Sequence, residues 1–438
     1  MRHEAFPDGV TREGLVAWYR DLRTRSKELF AMLTPEAYYE RPIALRNPLV
    51  FYEGHLPAFA VNTLIKGAQG RRGIDERFEA LFARGIDPDS EDAVKSPTDV
   101  WPSRDDVQAY ADAADALILD VLGNGKLEDD AVPQLRGGEA VFTILEHEAM
   151  HQETLLYMLH NLPHALKRAE GRGPRAEGRG PRAEGGNPAE RSSALGPRPS
   201  ALVSIPRGRA TLGAARDTFG WDNEFASFVV DVDAFSIARH NVTNGEWLAF
   251  MEATGAGAPH FWVRDNDTWM FRGMFANEPL LLDAPVYVTY EQAAAYARWK
   301  GMRLPTEAEF HRAAYGTPGG EERLQPWGDE LPDATRGNFG FSALHPVGIG
   351  SHPRGASAWG VEDLVGNGWE WTSSLFGPFD GFAPMPSYRE YSVDFFDSAH
   401  YVLKGASPVT PKHLVRRSFR NWFRPNYPYV YATFRLTV

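Results

Sequence analysis

Apolar residues recur at helical spacing between residues 12 and 163, and this pattern predicts a mostly helical first part of the chain. The stretch REGLVAWYRDLRTRSKELFAML is the clearest example. Its large apolar residues Leu15, Trp18, Leu22 and Leu29 fall near one face of a helix. Such a face predicts a helix that packs against a core.

Three further helices are predicted in this part. The second is expected to start around GHLP and to run through AFAVNTLI, with Pro57 in its first turn, where the missing N–H costs nothing. The third is SRDDVQAYADAADALILDVL, with Ser103 as its N-cap. The fourth is GEAVFTILEHEAMHQETLLYML, which stops before Pro163. Four helices of this length predict an all-α, up-and-down four-helix bundle over residues 1–165.

A seven-residue unit is repeated three times in residues 168–188, as RAEGRGP, RAEGRGP and RAEGGNP. Gly, Pro and charged residues dominate the repeat, and with almost no apolar content it cannot build a core. Residues 166–199 are therefore predicted to form a disordered linker that acts as a tether. Binding of a partner by the repeat is the alternative.

The pattern changes after about residue 200. Apolar runs become short, as in ALVSIP and SFVVDVDAFSIA, and turn signals are frequent. One helix stands out, in TYEQAAAYARWKG. Residues 200–438 are therefore predicted to form a compact, loop-rich α+β domain, which makes the protein multidomain.

Charge and composition narrow the possible functions. The chain has 438 residues and a formal net charge of −12, which argues against a nucleic-acid or anionic-membrane partner. The first residues carry no long apolar run, so no signal peptide or membrane span is predicted. The absence of cysteine excludes disulfides and thiolate ligands, and suits a reducing compartment such as the cytoplasm. The sequence predicts no particular oligomeric state.

The segment HEAMH at residues 147–151 fits H-E-x-x-H, a pattern typical of zinc peptidases, in which the glutamate is the general base. His147 and His151 are four residues apart, so both can face one metal. A peptidase normally takes its third ligand from downstream, but here the helix ends at Pro163 and the Gly/Pro repeat follows. The zinc hydrolase hypothesis is therefore weak.

A better third ligand lies upstream, at His55 in FYEGHLPAF. It would come from another helix of the bundle, and helical bundles commonly build metal sites from facing helices. Three neutral imidazoles leave up to three positions open on an octahedral ion, an arrangement that suits Fe(II) with a substrate and O₂.

FYEGHLPAF followed by H-x-x-x-H-x-E resembles the iron-binding, DinB-like bundle of the sulfoxide synthases that make ergothioneine and ovothiol. The rest of the chain resembles the formylglycine-generating-enzyme-like (C-type-lectin-like) domain that follows the bundle in that family. The matching segments are FGWDNE (219–224), VTNGEW (242–247), RLPTEAEF (303–310), GNGWEWT (366–372), VLKGAS (402–407) and FRNWFRP (419–425).

This resemblance implies a non-heme Fe(II) held by His55, His147 and His151. It implies that hercynine, the betaine of histidine, O₂ and a chalcogen donor meet at the metal, and that a bond forms between carbon 2 of the imidazole and the chalcogen. The segment SYREY matches the family tyrosine that donates a proton or hydrogen atom, which points to Tyr388, with Tyr391 three residues on.

The resemblance also implies residues that bind hercynine. Asn421 and Trp422 of FRNWF match the part of the family pocket that meets hercynine, and a trimethylammonium group favours aromatic faces. Trp369 and Trp371 are further aromatic candidates, but they lie in a fold-wide motif for which core packing is the stronger interpretation. Packing of a loop is likewise the alternative role for Tyr388.

Two departures from the family pattern concern the substrates. Met150 stands where many members have a glutamine that helps hold hercynine. Tyr427 and Pro428 stand where members that use γ-glutamylcysteine carry a basic doublet, while Arg424 is nearby but out of register. With Tyr429 close by, the donor site is predicted to be less cationic and more aromatic.

The segment FYEGHLPAF and the aromatic C-terminus favour one branch of the family, the selenoneine synthases, which use a 1-seleno-sugar as donor. A selenol ionises more readily than a thiol and is a soft ligand suited to join hercynine on the iron. A sulfoxide synthase that uses cysteine or γ-glutamylcysteine is the second hypothesis. A zinc hydrolase and a non-catalytic sensor or scaffold are the hypotheses from other classes.

Overall fold

The computed structural model describes residues 1–6, 9–83, 101–168 and 201–438. Nearly all of the predicted linker, residues 166–199, lies outside these ranges, so that prediction and the exact domain limits stay predictions. The described chain forms two compact units. Unit 1 holds the described residues up to 168 together with Arg216–Phe219 and Pro384–Tyr391, and unit 2 holds the others after residue 200.

Unit 1 is helical, as predicted. Its α-helices are α1 Arg12–Ala31, α2 Leu49–Ala60, α3 Glu76–Leu81, α4 Arg104–Asn124 and α5 Glu139–Asn161. Side chains cap three of them where the backbone N–H groups lack partners. Thr11 accepts a hydrogen bond from the N–H of Gly14, Asp75 caps α3, and Ser103 accepts from the N–H of Asp106. The predicted N-cap at Ser103 is confirmed.

The start predicted for the second helix was wrong. Helix α2 begins at Leu49, after Pro48, and Pro57 lies inside it. Every residue of α2 is buried, so the segment shows no polar face from which its start could be predicted. At its end α2 passes into a π-helix, Val61–Ala68. Such wide turns are rare and are often found at functional sites.

Unit 2 is α+β and rich in loops, as predicted. Its strands are β1 Leu202–Ile205, β2 Gly208–Leu212, β3 Phe228–Val232, β4 Phe235–Ala238, β5 Trp262–Asp265, β6 Thr268–Arg272, β7 Asn277–Pro279, β8 Gly368–Leu375, β9 Tyr401–Ala406, β10 Asn421–Phe423 and β11 Ala432–Thr433. The largest sheet has the order β10-β9-β8-β11. Smaller sheets pair β1 with β4, β2 with β3, and β6 with both β5 and β7.

Among the described residues of unit 2, three α-helices accompany these strands, where the sequence predicted one. They are α6 Asn244–Thr254, α7 Tyr290–Trp299 and α8 Glu307–Tyr315. Each follows a threonine N-cap and carries Glu or Gln at the third position, so each begins with a reciprocal capping box.

The core of unit 2 holds most of the family motif residues. Trp369 is 1% exposed, and the indole N–H of Trp371 donates to the carbonyl of Val288. Arg435 binds the carboxylate of Glu370 through two hydrogen bonds of 2.6 Å each. These contacts place the two tryptophans in core packing. Among the described helices, none is both long and apolar enough to cross a membrane.

Candidate metal centre and its surroundings

Three histidines form a cluster inside unit 1. His55 comes from α2, and His147 and His151 come from successive turns of α5. Each offers a ring nitrogen, and the three nitrogens lie within 4.8 Å of one another. The ring centroids are 5.0, 5.0 and 4.4 Å apart. The structure therefore brings together all three residues that were predicted as ligands.

The surroundings keep these imidazoles neutral. Burial lowers the pKa of His55 to about 4, although its hydrogen bond with the carbonyl of Phe82 acts in the opposite direction. Burial, reinforced by the neighbouring histidines, lowers the pKa of His147 well below its ordinary value. Burial also lowers the pKa of His151, with further contributions from His55 and Arg46. Neutral imidazole is the form that binds a metal.

The free nitrogens of the cluster fit a metal ion. Both ring nitrogens of His147 and the Nδ1 of His151 are buried, and none has a hydrogen-bond partner within the described part of the chain. Buried polar atoms normally have partners, so this concentration of unsatisfied nitrogen needs an explanation. The Nδ1 of His55 lies 2.8 Å from the carbonyl oxygen of Phe82, which leaves Nε2 for the metal. A metal bound by the three imidazoles would satisfy these nitrogens.

Glu148, the glutamate of the H-E-x-x-H pattern, does not face this cluster as a base would. Its Oε1 accepts hydrogen bonds from the guanidinium of Arg23 at 2.9 Å and from the hydroxyl of Ser26 at 2.6 Å, both on α1. Arg23 also binds Asp115 at 2.7 Å. Glu148 therefore joins α5 to α1 through a buried ion pair, and it lacks the position that a peptidase requires of a general base.

Glu148→Gln is expected to weaken the fold without removing the chemistry. The substitution removes the charge of Glu148 and leaves the buried guanidinium of Arg23 with one carboxylate partner fewer. The free energy of unfolding should therefore fall by roughly 3 kcal/mol. Metal content of the folded protein should stay at the wild-type level. Urea unfolding and elemental analysis would measure both quantities. Loss of a peptidase activity with unchanged stability would contradict this assignment.

Two tyrosines from the segment Pro384–Tyr391 stand beside the histidines in unit 1. The ring of Tyr388 lies 6.0 Å from that of His147, centroid to centroid. The hydroxyl of Tyr391 lies 3.2 Å from the Sδ of Met150, which sits on α5 between the two ligand candidates. The structure thus brings Tyr388, Tyr391 and Met150 to the cluster.

The other predicted site residues lie in unit 2, at and after β10. Asn421 accepts a hydrogen bond from the backbone N–H of Trp422 at 2.9 Å. One face of Trp422 stacks on Phe376, with centroids 4.2 Å apart and planes 8° from parallel, and Phe395 packs beside it at 5.5 Å. Trp422 is therefore part of an aromatic cluster, and Asn421 precedes it on the same strand.

The residues after β10 differ in exposure. The guanidinium of Arg424 lies 3.6 Å from the carboxylate of Asp397. Tyr427 is only 8% exposed, and its ring stacks on Phe423 at 5.0 Å. Tyr429 packs between Tyr427 and His260, at 5.1 Å from each. Tyr427 thus packs against Phe423 in this structure, and its contact with a donor stays a prediction.

Sequence reasoning missed two residues that shape the centre. Phe59 lies against His147, and its position four residues after His55 on one helix was a usable signal. Arg23 binds the glutamate between the ligand histidines from another helix, and no local pattern marks it.

Two family models match this chain. The DinB superfamily matches residues 19–155, and the Sulfatase-modifying factor enzyme 1-like domain matches residues 189–438. A protein named Hercynine oxygenase from Mycolicibacterium thermoresistibile is 40% identical over 51% of this chain and 54% of its own length. Its namesake from Mycolicibacterium smegmatis is 34% identical over 76% of this chain and 77% of its own length.

A more distant relative covers almost the whole chain. Ergothioneine biosynthesis protein 1 from Schizosaccharomyces pombe is 30% identical over 92% of this chain, which corresponds to 53% of that protein. The chain thus spans about half the length of several curated relatives that it matches. The order of the two domains and the histidine cluster define a class of two-domain proteins with a candidate metal centre in the helical domain. This chain belongs to the ergothioneine-type sulfoxide synthase family.

Proposed function

We propose that this protein is an Fe(II)- and O₂-dependent enzyme that joins carbon 2 of the hercynine imidazole to selenium of a 1-seleno-sugar. The observation that carries the chemistry is the cluster of His55, His147 and His151, with Tyr388 beside it. The relatives named Hercynine oxygenase support hercynine as the acceptor. The identity of the donor is the more specific part of the proposal, and it rests on the charge of a neighbouring cavity.

When bound by the three histidines, Fe(II) would supply activation of O₂ and a common centre for hercynine and the donor. The reaction balances with one O₂. The C–H of hercynine and the Se–H of the donor lose their hydrogens, a carbon–selenium bond forms, one oxygen atom ends on selenium and the other leaves as water. Four electrons pass from the two substrates to O₂, so no external reductant is needed.

The side chains of this protein would contribute protons and exclusion of water. The Tyr388 hydroxyl would deliver a proton to oxygen as it is reduced, because its ring is adjacent to His147 in unit 1. Burial keeps His55 and His147 uncharged, so the ligands themselves do not compete as acids. The buried walls of the cluster limit access of water to the reacting atoms.

The residues proposed to hold hercynine offer an aromatic ring, an amide and a tyrosine hydroxyl. Trp422 offers an aromatic surface suited to the trimethylammonium group, and Asn421 offers an amide. Met150 cannot reproduce the hydrogen bonds of the family glutamine, but the Tyr391 hydroxyl lies 3.2 Å from its sulfur. We propose that Tyr391 provides a polar contact at this position.

A cavity of about 430 Å³ in unit 1 supports a donor without carboxylates. Phe59 and Tyr388, which both contact His147, form part of its wall. Neutral polar groups also line it, namely Asn62, Thr63, Gln134 and Ser387. Aromatic faces beside neutral hydrogen-bonding groups suit a sugar.

The charges along this cavity disfavour an anionic donor. Its described lining contains three carboxylates, Glu76, Glu79 and Glu390, and one lysine. The ammonium of Lys66 lies 2.9 Å from Glu79, so it is already neutralised. The two carboxylates of γ-glutamylcysteine would meet like charge here, and burial of a carboxylate requires a cationic partner.

With hercynine, Fe(II) and O₂, a 1-seleno-sugar is expected to give kcat/KM at least about tenfold above that of γ-glutamylcysteine. Glu390→Lys should narrow this preference by removing like charge and adding a cation to the cavity. Asp21→Lys, an equal change at an exposed site on α1, should leave the preference unchanged. Mass spectrometry of products from a donor panel would measure the ratio, and an equal or higher value for γ-glutamylcysteine would overturn the seleno-sugar assignment.

A sulfoxide synthase that uses cysteine or γ-glutamylcysteine is the second candidate function. The names of the relatives favour it, since they refer to hercynine and ergothioneine. The same donor panel separates the two candidates, because both require Fe(II), O₂ and hercynine and differ only in the chalcogen compound consumed.

A further inference from the structure

His147 lacks the usual support of a ligating histidine. Such a histidine commonly donates its second ring N–H to a carbonyl or carboxylate, and this bond fixes the ring. His55 has this support from the Phe82 carbonyl at 2.8 Å. Neither ring nitrogen of His147 has a hydrogen-bond partner among the residues that the structure describes, although both are buried. Another contact must therefore orient its ring.

Phe59 makes that contact. Its ring lies flat on the imidazole of His147, with centroids 3.5 Å apart and planes 7° from parallel. Phe59 is only 6% exposed, so its own ring is held by the surrounding core. Because it follows His55 by four residues on α2, it also packs against that imidazole at 6.0 Å.

Phe59 also contacts the ring of Tyr388. The two rings meet edge to face, with their planes at 62° to each other and their centroids 5.1 Å apart. Phe59 and Tyr388 also line the same cavity. The phenyl ring of Phe59 thus contacts two candidate metal ligands, His55 and His147, and also the proposed proton donor, Tyr388.

We propose that Phe59 is a positioning residue that holds the His147 ring by face-to-face contact in place of the missing hydrogen bond. Rotation of the imidazole about its Cβ–Cγ bond would drive the ring into the face of Phe59. This inference rests on the proposed function only in assigning His147 as a metal ligand. It does not depend on which donor or acceptor the enzyme uses.

Phe59→Leu is the informative change, because leucine keeps apolar volume and lacks a flat face. Loss of the contacts that orient a ligand commonly costs 10- to 100-fold in metal affinity. We expect Phe59→Leu to raise the Kd for Co(II) by about tenfold or more. Phe59→Tyr retains the flat ring and should bind Co(II) with an affinity within about threefold of the wild type.

Phe51→Leu is the matched control. Phe51 lies on the same helix, is buried, and stacks on His55 with centroids 5.0 Å apart and planes 19° from parallel. His55 keeps its hydrogen bond with the Phe82 carbonyl when that face is lost. Phe51→Leu should therefore change the Kd for Co(II) by less than about threefold, although it removes an equally large ring.

The experiment titrates Co(II) into metal-free wild-type and variant proteins under anaerobic conditions and records the visible absorption and electron paramagnetic resonance spectra. Neither hercynine nor a donor is added, so failure of the proposed reaction would leave this result intact. Weaker binding and an altered Co(II) spectrum in Phe59→Leu alone are the expected result. Wild-type affinity in Phe59→Leu, or an equal loss in Phe51→Leu, would overturn the proposal. If Phe59→Leu does not fold, Phe59→Met serves in its place with the same two outcomes.

Discussion

Replacement of His147 with alanine is expected to abolish both stoichiometric iron and carbon–chalcogen bond formation. Two imidazoles would remain of the three whose nitrogens lie within 4.8 Å of one another, and no other cluster of potential ligands is present in the described ranges. His55→Ala should have the same effect, because His55 supplies the third imidazole of the set. Elemental analysis and an assay with hercynine would measure the loss.

His164→Ala provides the control for this experiment. His164 lies in a short 3₁₀ helix after α5, outside the cluster. Its replacement should preserve iron content, so that a general effect of removing histidine can be recognised. Full iron and turnover in His55→Ala would show that the three-histidine site is wrong.

Tyr388→Phe is expected to keep iron and hercynine binding but to change the fate of O₂. Removal of the hydroxyl takes away the proposed proton source beside His147, and loss of such a group commonly slows the assisted step by 10²- to 10⁴-fold. Bond formation should therefore fall by about a hundredfold. The donor should be oxidised instead, because O₂ would still be activated.

The ratio of coupled product to oxidised donor, together with O₂ uptake, would test this expectation. Tyr391→Phe is the matched control, since it removes the hydroxyl near Met150 three residues away. It should affect the KM for hercynine and leave the product ratio unchanged. An unaltered rate and product ratio in Tyr388→Phe would reduce this tyrosine to a packing residue.

The sequence predicted those features that depend on nearby residues. Ser103 caps α4 and α5 ends before Pro163, because caps and proline act within one helical turn. The same logic could have predicted α6 and α8, whose capping boxes at Thr243 and Thr306 are visible in the printed sequence. The histidine spacing on α5 was likewise a local signal.

The features that escaped prediction depend on distant contacts. Helix α2 is buried on all sides, so the pattern of apolar residues did not show where the helix begins. No local signal marked the π-helix that follows. The ion pair between Arg23 and Glu148 and the stacking of Phe59 on His147 join residues far apart in the chain. The burial of Tyr427 against Phe423 also required the fold, because a tyrosine in a loop suits both packing and binding.

During synthesis of the chain, the ribosome adds His147 and His151 well before Tyr388. Tyr388 belongs to the same compact unit as His151, yet the two lie at opposite ends of a long stretch of chain. At roughly 5–20 residues per second, a ribosome adds Tyr388 on the order of ten to fifty seconds after His151. A nascent bundle could acquire metal in that interval while lacking the proposed proton donor. On the proposed function, oxygen chemistry at a metal bound in that interval would run without the tyrosine, so loading of iron after Tyr388 is in place would favour coupled turnover.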